Sequence, residues 1–102
     1  KNLIDTILCD SLLQDGLALS LAGRFSEALV KYRAAYEKFP RNWKVFYNAA
    51  LAYSQLGEFD SAVKYLAIAR KINKDVRGMV EQEGQFEALR ESELYERFHG
   101  EA

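Results

Sequence analysis

Apolar residues recur along this chain at intervals of three and four, the spacing of one face of a helix. Leu12, Leu13, Gly16, Leu17, Leu19 and Ser20 follow the rule, and so do Val45, Phe46, Ala49, Ala50, Ala52, Tyr53 and Leu56. No run of β-branched residues alternates with polar ones over the length of a strand. Between the glycines and Pro40, the single proline, lie stretches rich in Ala, Leu, Glu, Lys and Arg, all good helix formers. The pattern predicts an all-α fold.

Helix limits follow from terminal chemistry. Asn2 or Asp5 is the expected cap of a first helix running to about Ala22, closed by Gly23-Arg24. Ser26 is the expected N-cap of a second helix, Glu27 to Lys38, which stops before Pro40. Asn42 caps a third from Trp43 to about Leu56, closed by Gly57, and Asp60 caps a fourth from Ser61 to about Asn73. The connections are short, so consecutive helices must pack antiparallel.

Shifting the chain by 34 residues aligns it with itself. Gly23 meets Gly57, Phe25 meets Phe59, Ala28 meets Ala62 and Ala35 meets Ala69, while Leu17, Ala18 and Ser20 meet Leu51, Ala52 and Ser54. Leu12/Phe46, Gln14/Asn48 and Leu29/Val63 are like-for-like replacements. A helix-turn-helix unit repeating at this period, with small residues at the helix crossings, resembles the tetratricopeptide repeat. The signature positions hold Leu12, Gly16, Leu19, Ala28, Tyr32, Ala35 and Pro40 in one copy, and Phe46, Ala50, Tyr53, Ala62, Leu66 and Ala69 in the next. Small residues there let helices approach closely, and Phe25 and Phe59 are expected to plug the bottom of each hairpin. Asp15 stands where the family has leucine, implying a more polar flank. Lys74 stands where it has proline, implying a second pair that runs on without a sharp stop.

The expected organisation is one domain over residues 1–102. Residues 1–8 extend the first helix, 9–42 and 43–76 are two repeats, and 77–102 hold a partial repeat and a C-terminal cap. By resemblance, antiparallel helix-turn-helix repeats stack as a short right-handed superhelical solenoid. After Val76 the register continues weakly through Val80 and Gly84 and then fails at Glu87. The run Phe86-Glu87-Ala88-Leu89-Arg90, followed by Leu94 and Phe98, resembles tails that close such arrays in bacterial proteins. A helix over Asp75–Gln82, a turn through Phe86–Leu89 and a last helix near Ser92–Phe98 are expected, anchored by Phe86, Leu89, Leu94 and Phe98. A solenoid leaves its last apolar face open, and a terminal element with one polar side must cover it. From Lys74 onward there are eight acidic and four basic residues, which suits that polar side.

Composition removes much else. Formal net charge is −1, without the basic excess that non-specific nucleic-acid binding needs. One cysteine, Cys9, makes no internal disulfide, and one histidine, His99, builds no histidine-rich metal site. Cys9 and His99 lie at opposite ends of the chain with no third group to orient them, so Cys9 is read as a packing residue and not a nucleophile. Glu81, Glu83, Glu87, Glu91 and Glu93 read as a solvated face. The basic stretch Arg24, Lys31, Arg33, Lys38, Arg41 and Lys44, with Tyr32, Tyr36 and Trp43 interleaved, reads as solvent- or partner-facing charge, with RNA the lesser alternative. No glycine-rich phosphate loop occurs. No enzyme activity, cofactor, metal or small-molecule substrate is expected. With no signal pattern and no membrane-length apolar run, a cytoplasmic location is favoured and the compartment otherwise stays open. The absence of methionine before Lys1 is expected of a module from a longer protein.

The resemblance implies a protein-interaction module, a scaffold or adaptor whose concave groove takes a peptide or helix of another protein. The groove positions then fall on Asp10, Leu13, Gln14, Leu17 and Leu21, and on Lys44, Tyr47, Asn48, Leu51 and Gln55. Two repeats give a shallow groove, which the tail can partly fill. Positions that hold the carboxylate clamp of chaperone-binding relatives carry Leu13, Leu17, Asn48, Gly78 and Gln82, so acidic C-terminal peptides are not expected to bind. The alternative is self-assembly. Leu3, Ile4, Ile7 and Leu8 share one helical face ahead of the first repeat, an apolar patch to be met by a preceding repeat, a second copy or a partner.

Overall fold

The computed structural model describes the backbone of residues 3–100 and the side-chain surroundings of residues 8–96 and of Phe98. Within that span the regular elements are helical. They are α1 (Leu3–Leu21), α2 (Phe25–Lys38), α3 (Trp43–Gln55), α4 (Phe59–Ile72) and α5 (Val76–Gln82). A 3₁₀ turn (Gly84–Phe86), α6 (Glu87–Arg90) and α7 (Glu93–Gly100) follow. The most extensive packing is within the pairs α1–α2 and α3–α4, and α2–α3 joins one pair to the next. Among the described residues, no helix is long and apolar enough to cross a membrane.

Both hairpin turns are built the same way, and tighter than the capping residues suggested. Gly23 and Gly57 each take φ +79°, the left-handed conformation that favours glycine. The Arg24 N–H donates to the Leu19 carbonyl at 2.9 Å and the Gly23 N–H to that of Ser20 at 3.0 Å; Glu58 to Tyr53 and Gly57 to Ser54 repeat the pattern at the same distances. These are Schellman closures. The residue after each glycine also starts the next helix, since the Arg24 carbonyl accepts from Ala28 and the Glu58 carbonyl from Ala62. Ser26 and Asp60 therefore lie inside the first turns of α2 and α4, and Arg24 and Glu58 occupy the cap positions without a side-chain cap bond. A propensity argument places a cap at the nearest good capping residue; the geometry of the turn overrode it.

At the other end of each pair, asparagine does the capping. The Asn42 side chain accepts from the Lys44 N–H at 3.1 Å, as expected. Asn73 does the same for the Asp75 N–H at 3.0 Å. This corrects the expected run-on at Lys74: α4 stops at Ile72 without proline, because Asn73 turns extended and holds the next amide with its own side chain. At the amino end α1 already includes Leu3, so Asp5 lies within the helix and Asn2 lies outside the described residues.

α3 is buried on two sides. Val45, Ala49 and Ala52 join Cys9, Leu13, Ala28, Tyr32 and Ala35 in one core. Phe46, Tyr47 and Ala50 join Ala62, Leu66 and Ala69 in the other, together with Val76, Val80, Phe86, Leu89 and Phe98 from the tail. A helix apolar nearly all round is one with neighbours nearly all round. The half-buried rings of Tyr36 and Tyr65 stitch the pairs together. Tyr36 stacks on Phe46 at 5.0 Å, its hydroxyl lies 3.0 Å from that of Tyr65, and Tyr65 stacks on Tyr53 at 5.3 Å.

The tail closes the stack through three kinds of contact. Phe86 and Leu89 are fully buried. Arg90 Nη1 donates to the Val80 carbonyl at 2.8 Å and the Glu83 carbonyl at 2.6 Å, satisfying groups exposed where α5 ends. α7 lies against α4, where Arg70 Nη1 donates to the Phe98 carbonyl at 2.7 Å and the guanidinium stands over the Phe98 ring. Of the four expected anchors, Phe86, Leu89 and Phe98 are buried; Leu94 is half-buried, and Tyr95 sits deeper than it does.

Candidate functional site

The carboxyl-terminal halves of α1 and α3 leave a cleft of about 90 Å³ between them, lined by Leu17 and Leu21 from α1 and Asn48 and Leu51 from α3. Ser20, Phe25, Tyr32, Ala52 and Gln85 complete its wall. An apolar cavity of about 150 Å³ accommodates benzene, so this space suits a single aliphatic side chain. Leu21 is 91% exposed beside it. Asn48 Nδ2 donates to the Lys44 carbonyl one turn back at 2.8 Å, which holds the amide in place at the rim.

The other expected groove residues divide by burial. Leu13 and Tyr47 are core residues, closed to a partner in this arrangement. Asp10, Gln14 and Lys44 are exposed further toward the amino ends of the two helices. Gln55, also exposed, donates through Nε2 to Gln85 Oε1 at 3.2 Å.

Tyr47 is covered because α5 is short. Glu83 turns extended, and the 3₁₀ turn brings Phe86 edge-on to the Tyr47 ring at 5.7 Å. Burial pushes the Tyr47 hydroxyl up to about 12, with the Glu83 carboxylate adding to the shift. Beyond Gln55 the same segment borders a second, open depression of about 450 Å³, lined by Gln55, Gly84, Gln85, Glu87, Ala88 and Glu91. Gln85 thus belongs to both hollows. Sequence reasoning missed it, since its place depends on where α5 stops and no signature position marks it. Phe25 does carry a signal, its match with Phe59 at a fixed distance from the turn glycine, and it walls the first hollow as well as closing the hairpin.

Of the expected assembly patch, only Leu8 has described surroundings, and it is 40% exposed. The side chains of Leu3, Ile4 and Ile7 lie outside the described residues, although α1 runs through all of them. Of the carboxylate-clamp positions, Leu13 is buried, Leu17 and Asn48 are half-buried, and Gly78 and Gln82 are exposed. In the basic stretch the interleaved rings are structural. Tyr32 is buried, Tyr36 is stacked on Phe46, and Trp43 packs edge-on to Tyr47 at 6.1 Å. Arg24 pairs with Glu27 through two bonds of 2.7 and 2.6 Å. Cys9 is buried and its sulfur accepts from Asn42 Nδ2 at 3.2 Å, while the His99 side chain lies outside the described residues. Among the described residues, no three His, Cys, Asp or Glu side chains are grouped to hold a metal ion.

A family model described as tetratricopeptide repeat matches residues 19–82, more than half of the chain, from the last turn of α1 to the end of α5. No curated protein matches.

Proposed function

Because the chain belongs to the tetratricopeptide-repeat family, whose repeats mediate protein–protein interaction, we propose that it holds a segment of another protein in the groove between α1 and α3. The observation that supports this is the cleft itself. Leu17, Leu21 and Leu51 converge on an open hollow sized for one apolar side chain, with a polar amide, Asn48, at its edge. The amide group both donates and accepts, which suits a peptide backbone more than any particular side chain. One buried anchor is worth about 1.5–3 kcal/mol, so contacts along the rest of the groove must add to it before the cost of association is exceeded.

The test compares two charge insertions. Leu51→Glu places a carboxylate in the cleft, and Val30→Glu places one on α2, where Val30 is already exposed. Partner capture should be lost with Leu51→Glu and kept with Val30→Glu, with helical circular dichroism equal in both. Equal capture by the two variants would rule out the groove. A second reading, self-association, draws on exposed Leu8 at the start of α1. Sedimentation of the purified chain decides it, since a single monomer species over the accessible concentration range excludes that reading.

A further inference from the structure

Resting on that groove reading, we propose that the captured segment carries a lysine or arginine next to its apolar anchor, seated in the depression between Gln55 and Glu91. The first ground is the ends of the two groove helices. α1 ends at Leu21 and α3 at Gln55, and neither has a basic residue in its last turn. The outer helices differ: α2 ends with Lys38, and α4 carries Arg70 and Lys71 in its last turn. A helix C-terminus bears negative partial charge, and no basic side chain in the last turn of α1 or α3 offsets it; α5 also ends without one, but there Arg90 holds the Val80 and Glu83 carbonyls.

The second ground is the depression. Glu87 and Glu91 both line it, and among the described residues neither forms an ion pair. The third is continuity. Gln85 walls both the apolar cleft and this depression, so one ligand seated in the first reaches the second. The side chains between them, Asn48, Gln55 and Gln85, are uncharged amides that accept either sign, so the acidic end sets the preference. An apolar hollow beside an unpaired negative field selects an apolar–basic segment and repels an acidic one.

A random dodecapeptide display library, panned on the full chain, provides the probe. The expected enrichment is of peptides with a Lys or Arg near a Leu, Ile or Phe. Selected peptides, followed by fluorescence anisotropy, should bind roughly three- to tenfold more weakly to Glu87→Gln/Glu91→Gln, as two exposed charge contacts would allow. The same loss should follow from changing the peptide's basic residue to Gln, and the two losses should not add. Raised salt should weaken the parent pair and leave the doubly neutral pair unchanged. Enriched peptides with no basic preference, whose binding is still abolished by Leu51→Glu, would overturn this inference and leave the groove reading standing. Binding indifferent to Leu51→Glu, or no enrichment at all, would overturn both. A dimer that Leu51→Glu returns to monomer would make a second copy the occupant and overturn the inference.

Discussion

The two helix pairs share turns, period and small residues, yet they fill the crossing between their helices in opposite ways. In the first pair Gly16 faces Tyr32. A β carbon at Gly16 would come within 2.7 Å of Tyr32 Cδ1 and 2.9 Å of Cζ, so the large ring is possible only because the facing helix has no side chain there. In the second pair Ala50 takes the place of Gly16 and Leu66 that of Tyr32, both fully buried in one core. Volume removed from one helix reappears on the other. The exchange leaves a trace in polar chemistry. Ser20 lies 3.2 Å from the Tyr32 hydroxyl, whereas its counterpart Ser54, opposite a leucine, is a buried hydroxyl with no hydrogen-bond partner. What recurs between the pairs is the filled space rather than the residue.

The groove surfaces differ as well. Leu13 and Tyr47 are counterparts and both buried, but Tyr47 is covered by Phe86 from the tail. At the last residue of each helix the contrast is sharper: Leu21 stands open, while its counterpart Gln55 is bonded to Gln85. The first pair contributes the exposed apolar edge of the groove, and the second a polar edge already engaged by the cap.

The largest expected effect comes from removing what only the second pair has. Phe86→Ala should cost about 3–5 kcal/mol in urea unfolding, since the ring is fully buried and its loss uncovers Tyr47. A loss under about 1 kcal/mol would mean the tail is a loosely held flap. Next is the crossing. Gly16→Ala should destabilise by about 1–3 kcal/mol through overpacking against Tyr32. Combined with Tyr32→Leu, which recreates the arrangement of the second pair, it should cost much less than the sum of the single changes; strict additivity would break the volume-exchange account.

A smaller effect is expected at alkaline pH. The Tyr47 hydroxyl is raised from 10.0 to about 12 in the fold, so the unfolded chain ionises first. Its contribution is fully present below pH 10 and falls away as pH rises toward 12. Tyr47→Phe should therefore flatten part of the decline in the urea midpoint over that window and change it little at neutral pH. The smallest difference concerns the serines. Ser20→Ala should cost about 0.5–1.5 kcal/mol, because it strands the Tyr32 hydroxyl, whereas Ser54→Ala should be neutral or stabilising. Equal losses at the two sites would show that Ser54 has a partner in solution.

Much of this was legible in the residues. The glycine stops, the Asn42 cap, the antiparallel pairs and the buried Phe86, Leu89 and Phe98 all follow from local pattern. The caps at Ser26 and Asp60 misled because a Schellman turn lets one residue end a helix and start the next, which a propensity scale does not register. The fourth helix ends near Asn73 as its pattern predicts, but the sharp stop without proline is not legible there, because it rests on a side chain reaching two residues ahead.

The order of amino acids by itself determined the all-α class, the 34-residue period and the family, because each rests on spacing within a few turns of helix. By resemblance it also singled out a strip of candidate groove positions. Which of those positions remain open was decided by tertiary structure alone. Leu17, Leu21 and Leu51 line a cleft while Leu13 and Tyr47 are sealed, and in the case of Tyr47 the cover is a ring delivered by the tail. Helical periodicity reports the direction a side chain takes from its own axis. Exposure depends on what other elements bring against it, and here that turned on α5 ending at Gln82 and folding Phe86 back onto α3.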